Sequence, residues 1–122
     1  MEQEYIKGDI VMYDNKIHTI MDVLGVNNYK LSYVRHPVNQ LELSGVSLTT
    51  EILEKNGWKK SKINDCAYFY YKDGLFLTYT LKDGKFCFDD FDYSSSICVE
   101  LPYVHSLQHL LFGLGINSEM DV

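Results

Sequence analysis

His105 and His109 stand four residues apart in a stretch that reads as a helix, Pro102 to about Phe112. That spacing puts both imidazoles on one face, where they could share a metal ion. Ser106 follows the first histidine, however, where an H-E-x-x-H zinc helix has glutamate. A small metal-dependent enzyme would have to recruit its carboxylate from elsewhere, with Asp90 or Asp92 as candidates. Polar surface or contact histidines fit the pattern better. Asp90, Asp92, Ser94 and Ser96 alternate as oxygens do in a calcium loop, yet Ser95 and Leu101 stand where that loop needs glycine and glutamate. A solvated turn is the simpler reading there. There is no G-x-S-x-G, no glycine-rich phosphate loop and no Cys/His signature, so the reading leans away from an enzyme. It assigns no catalytic residue and no cofactor.

Tyr68, Phe69, Tyr70, Tyr71, Phe76, Tyr79, Phe86 and Phe88 form a second kind of candidate. Aromatic sheets can stack nucleobases, but only with cations to hold the phosphates. Here the neighbours include Asp65, Asp73, Asp83, Asp89 and Asp90. Aromatics on both faces of these strands imply one face under a helix, and the other against the N-terminal part or another chain. Such a face, left exposed, is a protein-binding surface.

The whole chain of 122 residues carries 11 basic and 17 acidic residues, a net charge of −6. Residues 1–61 hold 7 basic and 8 acidic groups, and residues 62–122 hold 4 and 9. Nucleic-acid binding draws its affinity from lysine and arginine displacing counterions, so the acidic half argues against it. The remaining route runs through Lys7, Lys16, Lys30 and Arg35 of the N-terminal part. No apolar run approaches the roughly 18 residues that span a bilayer. Met1-Glu2-Gln3-Glu4 lacks the basic start of a secretory signal, and Cys66, Cys87 and Cys98 show no C-x-x-C spacing. These features point to a reduced cytoplasmic setting without membrane contact.

An α+β fold must position these residues. Ile10–Tyr13 and Lys16–Leu24 flank a hairpin turn at Asp14-Asn15, and further strands are expected at Tyr29–Val34, Leu41–Leu43 and Val46–Leu48. Together they suggest a small SH3-like barrel or a curled sheet over residues 1–48. Thr49 or Thr50 caps a short helix that Gly57 stops, with Trp58 packing back onto it. A four-stranded antiparallel meander follows at Ala67–Lys72, Leu75–Leu81, Phe86–Phe88 and Ile97–Val99. The closing helix, ended by Gly113 or Gly115, is expected to lay Tyr103, Val104, Leu107, Leu110, Leu111 and Leu114 on the meander. Residues 49–122 would then form a second module, or both parts would share one core. His105, Gln108, His109 and Phe112 are left on the helix's other side as the candidate partner-binding face.

Two segments carry a resemblance. Leu48-Thr49-Thr50-Glu51-Ile52-Leu53 through Gly57-Trp58 matches L-T-x-E-x-L-x-x-x-G-[FW], and Tyr103-Val104-His105-Ser106-Leu107-Gln108 opens a Y-V-H-x-L-Q segment. With Gly8-Asp9-Ile10-Val11, these segments make the chain resemble a family of small proteins of phages, prophages and mobile elements of gut bacteria. The resemblance implies a genomic setting, with action in the bacterial cytoplasm or at the virion, and carries over no activity, cofactor or catalytic residue. The reading that follows is a non-enzymatic interaction or accessory protein that binds a protein partner or its own copy. A metal enzyme and a nucleic-acid-associated protein are the alternatives.

Overall fold

The computed structural model describes residues 5–82, 84–89 and 98–122 and divides into two compact units. The first comprises Met1–Ser47 with Tyr103–Met120, and the second Leu48–Pro102 with Asp121–Val122. Among the described residues no helix is long and apolar enough to cross a membrane.

The first unit is a curled five-stranded antiparallel half-barrel. Its strands are β1 (Ile10–Tyr13), β2 (Lys16–Val23), β3 (Asn28–Leu31), β4 (Val38–Asn39) and β5 (Ser44–Gly45), in the order β4-β3-β2-β1-β5. Asp14 and Asn15 both take positive φ, 49° and 60°, so the β1–β2 turn has the conformation these residue types tolerate. The core cluster is Tyr5, Val11, Ile20, Tyr29, Leu31 and Val38.

Two segments differ from the strands that their sequence suggests. Leu41–Leu43 alternates in hydropathy like a strand, yet Gln40–Glu42 forms a 3-10 turn. The Asn39 side chain accepts the Leu41 N–H and the Glu42 carboxylate accepts the Asn39 N–H, so a capping box outweighs a three-residue alternation. Val46–Leu48 contributes no named strand. Its pairing within the unit is an isolated bridge from Ser47 to Tyr103, with the Val104 N–H bonded to the Val46 carbonyl.

In the second unit, helix α1 (Thr50–Lys55) begins with the Thr49 hydroxyl accepting the Ile52 N–H at 3.2 Å. It ends where Gly57, at φ +87°, allows the Gly57 and Trp58 N–H groups to reach the Glu54 and Leu53 carbonyls. That is the closure the glycine and tryptophan predicted. The four expected strands are present as β7 (Ala67–Lys72), β8 (Leu75–Thr80), β9 (Lys85–Asp89) and β10 (Cys98–Glu100), and β6 (Lys59–Asn64) adds an edge. Strand β6 was invisible in the sequence because Lys-Lys-Ser-Lys-Ile-Asn is exposed nearly throughout. A lysine-rich edge resists unwanted strand pairing. Among the described residues, Leu48, Leu53, Trp58, Tyr70, Leu77, Phe86 and Leu101 are the buried hydrophobic residues of this unit.

Helix α2 (Val104–Gly113) departs most from expectation. The sequence assigned it to the meander, whereas it belongs to the first unit. Its rotation also differs: Val104, His105, Leu107, Gln108 and Leu111 are buried, while Tyr103 and Leu114 are exposed. Hydropathy weighs side chains singly, and it cannot see a backbone partner waiting for a buried glutamine.

Close packing at the start of α2 leaves no room for a side chain on Gly45. A β-carbon there would lie 2.6 Å from the Tyr103 ring and 3.0 Å from His105. Gly45→Ala should therefore cost about 1–3 kcal/mol in urea unfolding, the range of overpacking. An unchanged midpoint would show that this contact is slack.

Candidate functional site

The residues singled out on α2 meet the segment before β1. The Gln108 side chain accepts the Ile10 N–H at 2.8 Å and donates to the Gly8 carbonyl at 2.9 Å, so its amide pairs with the backbone on either side of Asp9. It also donates to the Ser118 carbonyl at 3.1 Å. Gln108 is only 3% exposed, and these bonds meet the requirement that a buried amide be paired. Asp9, 2% exposed, accepts the Ile6 N–H at 2.9 Å and lies 2.6 Å from His109 Nε2.

His105, 6% exposed, stacks on the Tyr103 ring with 5.4 Å between centroids and meets the Tyr5 ring edge-on at 5.0 Å. His109 stands 5.7 Å away, edge-on. The buried Nδ1 of His105 has no hydrogen-bond partner among the described residues. Of the proposed contact face, then, His105 and Gln108 are interior, His109 is half-buried, and Phe112 is 65% exposed. Four consecutive-turn positions on one helix do not make one outward face, because α2 is buried over a wider arc than its apolar residues define.

Burial is the largest influence on the Asp9 carboxyl and raises it above its ordinary value, against the Ile6 N–H and His109, which lower it. Burial likewise holds the His105 imidazole below its ordinary value; the Asp9 charge pulls it up and His109 pushes it down.

The metal reading finds no support in this geometry. Among the described residues no group of three His, Cys, Asp or Glu is arranged to hold an ion. Asp90 and Asp92 lie outside the described residues. The carboxylate that does meet His109 is Asp9, a hundred residues away in sequence.

The basic candidates separate. Lys30 and Arg35 line one open depression on the first unit, and neither Lys7 nor Lys16 belongs to its lining.

The aromatic strands sort by register. Tyr68 and Tyr70 face the same side as Leu77, Tyr79 and Phe86. On that side Tyr70 is fully buried and the α1 residues Thr50, Glu51 and Glu54 are close enough to act on its phenol. Phe69, Tyr71 and Phe76 face the other side, with Lys59, Ser61, Thr78 and Cys87 around them. Their ring centroids are 5.8 to 6.2 Å apart, a mutually contacting trio. Tyr71 is 39% exposed, while Phe69 and Phe76 are half-buried.

No protein-family model matches the chain, and no curated protein or solved structure matches it.

Two outcomes follow for the histidine cluster. The folded His105 resists protonation more than the unfolded chain does, so its stabilising contribution is complete above the ordinary imidazole value of about 6.5. It is lost as pH falls through the lower folded value. The urea midpoint should therefore fall between neutral and mildly acidic pH, and His105→Phe, which keeps the ring stacking, should flatten part of that fall. Parallel profiles would exclude His105 as the cause. Asp9→Asn removes the charge that holds His105 up, so the His105 ring titration followed by NMR should move still lower. A shift in the opposite direction would contradict the electrostatic account.

Proposed function

We propose that the protein is a non-enzymatic interaction or accessory protein, and that a partner protein docks on the face formed by Phe69, Tyr71 and Phe76. The observation that carries this reading is the aromatic trio on β7 and β8, inner strands of the second sheet, left partly open to solvent. Aromatic side chains are enriched at interfaces because they bury large areas at small entropic cost, and they dominate binding hot spots. The surround is mixed rather than basic. Lys85 is engaged with Glu100 at 3.4 Å, which leaves Lys59 as the cation facing Tyr71. That balance favours a protein over a nucleic-acid backbone. The phage or mobile-element setting, with action in the host cytoplasm or at the virion, is part of the same proposal and rests on the segment resemblance.

The test compares the tagged protein with a Tyr71→Ser/Phe76→Thr variant in affinity capture from its native host, with light scattering on both purified proteins. Threonine keeps a strong strand preference at the half-buried Phe76 position, and the melting temperature of the variant checks that it remains folded. A stoichiometric partner, or self-association, that falls about tenfold or more in the variant supports the face, since one order of magnitude is about 1.4 kcal/mol of binding. Equal recovery of the same partner by both proteins would remove it from this face.

A further inference from the structure

The turn after β3 presents a tyrosine in a conformation that tyrosine disfavours. Leu31-Ser32-Tyr33-Val34 closes with the Val34 N–H on the Leu31 carbonyl at 3.4 Å, and Tyr33 sits third with φ +62°. That position normally selects glycine or asparagine, because a β-carbon crowds the left-handed backbone. The Tyr33 side chain is nevertheless fully exposed, so no burial offsets the strain.

The turn is also pinned. The Ser32 N–H donates to the Thr19 carbonyl, the Ser32 hydroxyl accepts the Thr19 N–H, and the Ser32 carbonyl lies 2.8 Å from His18 Nδ1. Strained residues held by their surroundings concentrate at binding and catalytic sites, and a pinned loop loses little entropy on binding.

Tyr33 borders an open depression of about 610 Å³. Met21, Leu31 and Val34 supply apolar lining, and Lys30 and Arg35 supply charge. Neither cation has an ion-pair partner among the described residues. Asp22 stands opposite Lys30 in the β2–β3 register, but its carboxylate accepts the Val23 N–H.

We infer that this depression docks an acidic segment of a partner protein, one that offers carboxylates to Lys30 and Arg35 and an apolar side chain to the floor beside Tyr33. Charge complementarity selects the occupant. Two cations release too few counterions to hold a phosphate backbone firmly, since each contact contributes less than one unit of salt slope. They suffice for one or two carboxylates beside an apolar anchor, where charge-assisted bonds give specificity. This surface lies on the first unit and does not depend on the aromatic face of the second.

The experiment selects a displayed library of random peptides on the full chain, then maps the enriched peptide by NMR, with a short oligothymidine as the competing probe. Enrichment of Asp and Glu around Leu, Ile or Phe is expected, with shifts confined to the amides of Met21 and residues 30–35. Lys30→Glu/Arg35→Glu should weaken the selected peptide about tenfold or more. Tyr33→Gly should also abolish binding while its melting temperature stays level or rises, because glycine relieves the turn. The inference is overturned by selection without acidic enrichment, by shifts located elsewhere, or by full affinity in the charge-reversed variant. Tighter binding of oligothymidine at the same residues would overturn it in favour of single-stranded nucleic acid.

Discussion

The first unit depends on one side-chain amide that stands in for a strand. Gln108 donates to and accepts from the backbone flanking Asp9, joining segments 98 to 100 residues apart, and Asp9 and His109 close the same contact beside it. Short strands leave backbone groups without ladder partners, and an edge buried under a helix must satisfy those groups. Once Gln108 holds α2 there, Leu107 and Leu111 are buried, and Tyr103 and His105 come down over Gly45.

The cost of that arrangement collects at Asp9 and His105. A carboxylate and an imidazole in an apolar site are each driven toward their neutral forms, and the bond between Asp9 and His109 moderates this for the carboxylate. Rings of Tyr5, Tyr103 and His109 pack around His105, and its buried Nδ1 has no hydrogen-bond partner among the described residues, so burial outweighs the Asp9 charge and favours the neutral imidazole. The sequence offered these histidines as metal or contact candidates; in the structure His105 packs against rings and His109 meets Asp9. The open surfaces lie elsewhere, on a sheet face where three aromatics pack on one another and at a turn where a tyrosine is held out by its backbone.

Much of the local architecture was legible. Asp14-Asn15, Thr49 and Gly57-Trp58 act through backbone conformation and hydrogen bonds spanning only a few residues, so residue type alone identified the turn, the cap and the helix end. The α+β class and the meander were readable for the same reason. The aromatic series was visible too, although its division into a buried and an open side required the register.

The sequence by itself determined most element types, though not the 3-10 turn at Gln40–Glu42 or strand β6, together with the principal turns and the presence of chemistry-capable residues on α2. Only the tertiary structure decided which unit α2 joins, how far it is rotated, and that Asp9 meets His109. It alone decided that Tyr33, Lys30 and Arg35 share one depression and that a lysine-rich segment forms an edge strand. The reason is range. Turn and capping preferences are settled within a few residues, whereas the pairing of Gln108 with Gly8 and Ile10 depends on chain a hundred residues distant, which no local pattern encodes.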